Sequence, residues 1–167
     1  LTPDEALRAH PAGEERPVQA TTLAEAIAAR TARTPDATAV VFAGERLTYA
    51  ELDARAEALA GRLRSRGAGP GRFVAVAVPR STELMVALLG VLKSGAAYLP
   101  VDPDYPADRV AHMLADSGTS TVITLGGIAD RLPSAAASVL LLDEEHTDRP
   151  PAAGPARPVH PDDPAYL

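Results

Sequence analysis

The 167-residue sequence contains no cysteine, which excludes disulfide bonds and thiolate metal sites and fits a cytosolic protein without requiring one. Tryptophan is also absent, and there are only four tyrosines and two phenylalanines. A hydrophobic core must therefore be built mainly from alanine, valine and leucine. No run of about 18 apolar residues occurs, so no membrane-spanning helix is expected.

Positive charge is scarce as well. The formal net charge is -6, and no basic stripe is visible, so the electrostatic footprint of a nucleic-acid-binding protein is missing. Lys93 is the only lysine, and any mechanism that needs a lysine has this single candidate. The N-terminal residues are polar and acidic and do not resemble a signal peptide. Together these features predict a cytoplasmic location, with neither nucleic acid nor membrane as a partner.

Two sequence patterns mark helix starts. Thr22 and Glu25, and again Thr48 and Glu51, have the spacing of a capping box. In that motif the threonine hydroxyl accepts a hydrogen bond from a first-turn amide, and the glutamate accepts one from the amide of the capping residue. Helices are therefore predicted to begin directly after Thr22 and Thr48.

Apolar patterning places the other elements. Residues 73–78 are almost all apolar, as expected for a strand buried on both faces of a parallel sheet. Residues 82–93 are apolar nearly all round, which predicts a deeply buried helix with Leu88 in the core and Gly95 as its stop. Pro106 fits the first position of the next helix. Predicted helices cover 23–33, 49 to about 66, 82–93, 106–117 and 128–132, and predicted strands cover 39–42, 46–48, 73–78, 97–101, 121–125 and 138–142.

This alternation predicts an α/β fold with a mostly parallel sheet flanked by helices and a β-hairpin near the N-terminus. Residues 1–20 lack a clear period and are interpreted as an interdomain linker. Residues 21–147 carry the predicted elements. Residues 148–167 hold six prolines and are interpreted as a connector without regular structure.

No residue pattern identifies a self-contained active site. Glycines at 67, 69 and 71 follow a helix and precede a strand, the reverse of a dinucleotide loop, so a turn is favoured. Gly126 and Gly127 follow a strand but are a weak phosphate signal on their own. Lys93 lies near a predicted helix C-terminus, where the helix dipole stabilises a positive charge, so a structural role is preferred. Catalytic, cofactor-binding and metal-binding residues are accordingly all predicted to be absent from this chain.

The histidines and the acidic clusters give the same result. The four histidines are not at metal-ligand spacing. The two acidic clusters are interpreted as solvated loops. The cluster at residues 143–145 does follow a predicted strand, and ligands of open α/β sheets bind at strand ends. The histidines are His10, His112, His146 and His160, and the acidic clusters are Asp143-Glu144-Glu145 and Asp162-Asp163.

Two longer segments are more specific. Residues 47–52 read LTYAEL and resemble the first core motif of nonribosomal peptide synthetase adenylation domains. Residues 92–102 read LKSGAAYLPVD and resemble the second, which commonly has alanine where Ser94 stands. The match extends to PDYPADR at 103–109 and to RTPDA at 33–37. The resemblance covers about residues 21–167.

The resemblance implies a fold and an activity. The chain would be an incomplete piece of the large N-terminal subdomain of adenylate-forming enzymes, ending before the glycine-rich phosphate loop. Residues 163–167 would be the segment that leads directly into that loop. The complete domain would activate an amino acid with ATP and magnesium as aminoacyl-AMP and load it on a phosphopantetheine thiol. Implied partners are the rest of the adenylation domain and the carrier and condensation domains, with an MbtH-like protein as a further candidate.

Three hypotheses stay open at this point. In the first, the chain is a segment of an amino-acid-adenylating ligase and is inactive alone. In the second, it is a non-catalytic docking piece in which residues 1–20 and the first helix hold a condensation domain. In the third, it is a fragment of an acyl-CoA synthetase, although the second motif of those enzymes usually lacks the YLPVDP run. The amino acid that would be activated cannot be read from these residues.

Overall fold

The observed elements follow the sequence patterns closely. The structure is a computed structural model that describes residues 21–133, 138–144 and 159–167. The helices are α1 (Leu23–Arg33), α2 (Tyr49–Ser65), α3 (Thr82–Ser94), α4 (Ala107–Asp116) and the single turn α5 (Gly126–Ala129). The strands are β1 (Thr38–Phe42), β2 (Glu45–Thr48), β3 (Phe73–Val76), β4 (Ala97–Pro100), β5 (Thr121–Thr124) and β6 (Ser138–Leu141).

Both capping boxes form as predicted. At the start of α2 the Thr48 hydroxyl accepts a hydrogen bond from the Glu51 amide at 3.2 Å, and the Glu51 carboxylate accepts one from the Thr48 amide at 2.8 Å. The bond from the Thr48 amide is the main cause that lowers the pKa of the Glu51 carboxyl, and a bond from the Thr48 hydroxyl to the same carboxylate lowers it further. Thr22 and Glu25 repeat the arrangement at α1. The local sequence therefore fixes where both helices begin.

Replacing Thr48 by alanine is expected to lower the free energy of unfolding by about 1 kcal/mol, because a first-turn amide of α2 loses its acceptor. Chemical denaturation followed by circular dichroism measures the change. Thr48→Ser keeps the hydroxyl and is the matched control, which should stay within about 0.5 kcal/mol of the parent. Equal losses in the two variants would contradict a capping role for the hydroxyl.

The main sheet has four parallel strands in the order β4-β3-β5-β6. Strands β1 and β2 pair antiparallel in a separate hairpin. Since β4 lies on one side of β3 and β5 lies on the other, the strand order reverses between β3 and β5. In open α/β sheets the carboxyl ends of strands near such a reversal form the crevices where ligands bind.

Helices cover both faces of this sheet. Alternate residues of β3 and its extension belong to different clusters: Val74, Val76 and Val78 pack with α2 and α3, whereas Ala75 and Ala77 pack with α4. Burial on both faces explains why this strand reads as a continuous apolar run. The predicted fold class is confirmed.

Helix α3 is less completely buried than its composition predicts. Val86, Leu89 and Val91 are buried, but Met85 is 41% exposed and Leu88 is only half-buried. The prediction that Leu88 lies in the core is therefore wrong. Its side chain packs at the margin of the core cluster and lines a crevice at the carboxyl ends of β3 and β4.

Several element boundaries also differ from the predictions. Strand β3 ends at Val76, two residues early, and Pro106 is the N-cap of α4 and not its first residue. The short helix lies at Gly126–Ala129, whereas residues 128–132 were predicted. Gly95 has φ +88° and ends α3 as predicted, because a side chain would be strained in this left-handed conformation.

The last residues of the chain contact β4. The Tyr98 amide of β4 donates to the Ala165 carbonyl at 3.0 Å, and the Leu167 amide donates to the Tyr98 carbonyl at 3.1 Å. Tyr166 thus forms an isolated parallel bridge with Tyr98, while residues 159–167 contain no helix or strand. The predicted linker at 1–20 and residues 148–158 of the predicted connector lie outside the described residues. Among the described helices, none has the length and apolar character that crossing a membrane requires.

Candidate functional site

A crevice opens at the carboxyl ends of β3 and β4, where ligands of parallel sheets bind. It has a volume of about 440 Å³. Its polar groups are Asp102, Tyr105 and Arg109, supplied by the turn after β4 and the first turn of α4. The walls are otherwise largely apolar, formed by Val76, Val78, Leu84, Leu88, Tyr98, Pro100, Val101 and Met113.

The polar rim of this crevice is held by local contacts. The Asp102 carboxylate accepts a hydrogen bond from the Asp104 amide at 2.9 Å, which shapes the turn between β4 and α4. The Arg109 guanidinium lies 4.3 Å from the centroid of the Tyr105 ring, within range of a cation–π contact. Arg131 forms an ion pair with Asp104. The rim therefore offers a carboxylate, a phenol and a guanidinium for binding.

The only lysine lies at a second cavity, of about 380 Å³, between the N-terminus of α1, the C-terminus of α3 and residues 159–165. Lys93 Nζ is 2.9 Å from Asp53 Oδ1 and 3.2 Å from Glu57 Oε2. Glu57 also contacts Arg64 at 2.8 Å, and that hydrogen bond is the main cause that lowers the pKa of the Glu57 carboxyl. Arg64 in turn donates to the Lys93 carbonyl at 3.1 Å.

This network joins α2 to the end of α3. The Lys93 side chain is 11% exposed and contacts two carboxylates, so its ammonium is compensated within the fold. The Arg64 guanidinium donates to a carbonyl at the α3 C-terminus, where the last carbonyls of a helix have no backbone donor within the helix. The geometry therefore supports the predicted structural role of Lys93.

The end of β5 is bonded both to the chain that follows β3 and, through Gly126, to the chain that follows β6. The Ala77 amide bonds the Ile123 carbonyl at 2.9 Å, and beyond it the fully buried Thr124 hydroxyl donates to the Ala77 carbonyl at 2.9 Å. After β5, the Gly126 amide donates to both Asp143 oxygens, at 2.8 and 3.0 Å. The amide of the first glycine is thus already bonded to a carboxylate of the same chain.

The remaining candidates are dispersed. His112 is exposed on α4, His160 and Asp162 are exposed near the end of the chain, and Asp163 accepts the His160 amide at 2.7 Å. His10, His146 and Glu145 lie outside the described residues. Over residues 21–133, 138–144 and 159–167, no three His, Asp or Glu side chains are grouped as a metal site would require. The assignment of no site residues to this chain stays a prediction.

Sequence reasoning missed the crevice and the pairing of β4 with residues 165–167. Pro100, Asp102 and Tyr105 belong to the segment that was singled out as a family motif, but only the fold shows that they surround an opening. No local signal could have paired Tyr98 with Tyr166, which lies 68 positions later in the sequence.

Comparison with known proteins gives consistent results. Residues 27–167 match the family described as AMP-binding enzyme. Surfactin synthase subunit 3 of Bacillus subtilis (strain 168) is 44% identical over 136 residues, which are 80% of this chain and 11% of that protein. The nonribosomal peptide synthetase FmoA3, solved in an AMPPNP-bound form, gives a TM-score of 0.82 at 39% identity over 98% of this chain and 18% of that one.

A third similar structure is NpsA-ThdA from Klebsiella oxytoca, an artificially fused adenylation-PCP di-domain. Its TM-score is 0.77 at 26% identity, over 89% of this chain and 28% of that one. The chain thus spans between 11% and 28% of the length of these three proteins. The resemblance inferred from the two core motifs is confirmed. The chain belongs to the AMP-binding enzyme family.

Proposed function

We propose that the chain is a segment of a nonribosomal peptide synthetase adenylation domain. The complete domain activates an amino acid with ATP as aminoacyl-AMP, releases pyrophosphate, and passes the acyl group to a phosphopantetheine thiol. The observation that carries the proposal is the similarity to FmoA3, which extends over 98% of this chain. The FmoA3 structure was solved with AMPPNP bound. FmoA3 and NpsA-ThdA are both nonribosomal peptide synthetases, which favours this function over an acyl-CoA synthetase.

Within that activity, the chain supplies the scaffold. The two core motifs hold a capped helix start at Thr48 and the turn from α3 to β4 at Gly95. Among the described residues, no three carboxylate or imidazole groups come together. The magnesium ion that the complete domain would use is therefore proposed to bind in the rest of that domain.

The proposal extends to partners and organisation. The carrier domain is proposed as the acceptor, in line with the adenylation-PCP arrangement of NpsA-ThdA. The condensation domain and an MbtH-like protein are further proposed partners, and residues 1–20, 21–147 and 148–167 are proposed as linker, adenylation segment and connector. A cytoplasmic location is proposed as well, because the activity requires ATP, which is supplied there.

The proposal is tested by amino-acid-dependent exchange of pyrophosphate into ATP, using the complete adenylation domain that contains these residues. We expect one amino acid or a small chemical class to raise exchange well above a blank without amino acid. A folded domain that responds to no amino acid but adenylates fatty or aryl acids would overturn the amino-acid assignment.

A further inference from the structure

Over the described residues, β6 is the last strand on its side of the main sheet, in the order β4-β3-β5-β6. The amides of Ser138 and Leu142 donate towards β5, at 2.8 and 3.0 Å. Because the direction of the backbone hydrogen bonds alternates along a strand, the backbone groups of Val139 and Leu141 point away from β5. Outward-facing groups at the edge of a sheet are a template for pairing with another strand.

The Arg62 side chain, from the last turn of α2, covers part of this edge. Its Nη2 atom donates to the Leu141 carbonyl at 3.0 Å. A neighbouring strand would lie about 4.8 Å from β6, so the guanidinium occupies the place from which an amide of that strand would bond Leu141. Burial is the main cause that lowers the pKa of the Arg62 guanidinium, Arg66 lowers it further, and Glu144, which follows β6, raises it. The guanidinium is thus partly withdrawn from water at the strand edge.

The other outward-facing residue of β6 is Val139, whose side chain is 45% exposed. If two copies of β6 paired around a two-fold axis, the strands would be antiparallel, and Val139 of one copy would lie opposite Leu141 of the other. In such a hydrogen-bonded pair the two residues exchange both of their backbone bonds. The Val139 amide would then require the Leu141 carbonyl of the second copy, which is the group that Arg62 already bonds.

We propose that the outer edge of β6 fits the same edge of a second copy of this chain, and that Arg62 keeps it closed. Charged side chains, prolines and bulges commonly protect strand edges from self-association. Strand β6 reads SVLL and contains neither a charged residue nor a proline, so the protecting charge comes from helix α2. The proposal concerns the folded chain itself and is independent of the adenylation activity.

The first variant is Arg62→Met in the 167-residue chain, which removes the donor and keeps an apolar side chain on α2. We expect its self-association constant to be about tenfold larger than that of the parent, the ratio that corresponds to one or two backbone hydrogen bonds. Arg66→Met is the matched control, because Arg66 is the exposed C-cap residue of the same helix and its loss removes the same charge. The control should associate as the parent does. Sedimentation equilibrium measures all three constants.

The second variant adds Val139→Pro to Arg62→Met and tests whether the new contact uses β6. Proline has no amide hydrogen, so the bond from residue 139 to the second copy cannot form. The bonds of β6 to β5 are kept, because they come from Ser138 and Leu142 and the Val139 amide points away from β5. We expect the double variant to return to the association constant of the parent, with a circular dichroism spectrum that shows a folded chain.

Three outcomes would overturn the inference. The first is an Arg62→Met chain that associates no more strongly than the parent. The second is equal association of Arg62→Met and Arg66→Met, since that would show a general effect of the lost charge. The third is a double variant that associates as strongly as Arg62→Met, because the contact would then lie elsewhere or result from damage to the fold.

Discussion

Replacing Leu89 by alanine is expected to lower the free energy of unfolding by about 2–5 kcal/mol, the usual range for a leucine removed from a packed core. Leu89 is 3% exposed and belongs to the cluster that joins α2, α3 and β3. Its truncation leaves a cavity in this cluster. The neighbouring Gly90 shows that α2 and α3 are closely packed, since a Cβ atom added there would lie 2.6 Å from Leu59 Cδ2.

The adjacent residue provides the control for this prediction. Leu88→Ala should cost about 1 kcal/mol, because the Leu88 side chain is half-buried at the crevice and less apolar area is lost. Both values can be measured by urea denaturation of the chain under identical conditions. A loss below about 0.5 kcal/mol for Leu89→Ala would mean that α3 is not a core helix. Equal losses for the two leucines would contradict the observed orientation of α3.

Features with a local cause could be predicted from the sequence. The start of α2 depends on Thr48 and Glu51, which are three residues apart, and the end of α3 depends on Gly95 alone. The parallel sheet also follows from a local cause, since the strand that includes Val74 is apolar at every position and must be covered on both sides. Each of these signals is contained within one turn or one strand.

The errors have causes that lie far away in the sequence. Helix α5 begins at Gly126 because that amide bonds the Asp143 carboxylate, 17 residues later. Strand β3 ends before residue 77 because the Thr124 hydroxyl, and not a backbone amide, bonds the Ala77 carbonyl. Leu88 is half-buried because it lines the crevice, which the pattern of α3 alone cannot show. The crevice escaped prediction for the same reason, since its walls come from four different elements.

The 167-residue chain by itself is expected to show no amino-acid-dependent exchange of pyrophosphate into ATP. Adenylyl transfer requires donors directed at the charge that develops on the phosphates. The groups of this chain that come nearest to that role are already engaged: Lys93 contacts Asp53 and Glu57, and the Gly126 amide bonds Asp143. Elsewhere within residues 21–133, 138–144 and 159–167, no glycine-rich loop follows a strand.

The measurement compares the chain with the complete adenylation domain at equal concentration, after circular dichroism has shown that both are folded. We expect the chain to stay at the level of the blank with every amino acid, while the complete domain responds to at least one. Adding the downstream part as a separate polypeptide should restore some exchange if it pairs with the sheet. The edge strands β4 and β6 could also pair with other copies of the chain, and this aggregation would compete with binding of the downstream part. Robust exchange by the chain alone would show that it contains an ATP site, and the scaffold role proposed for it would then be wrong.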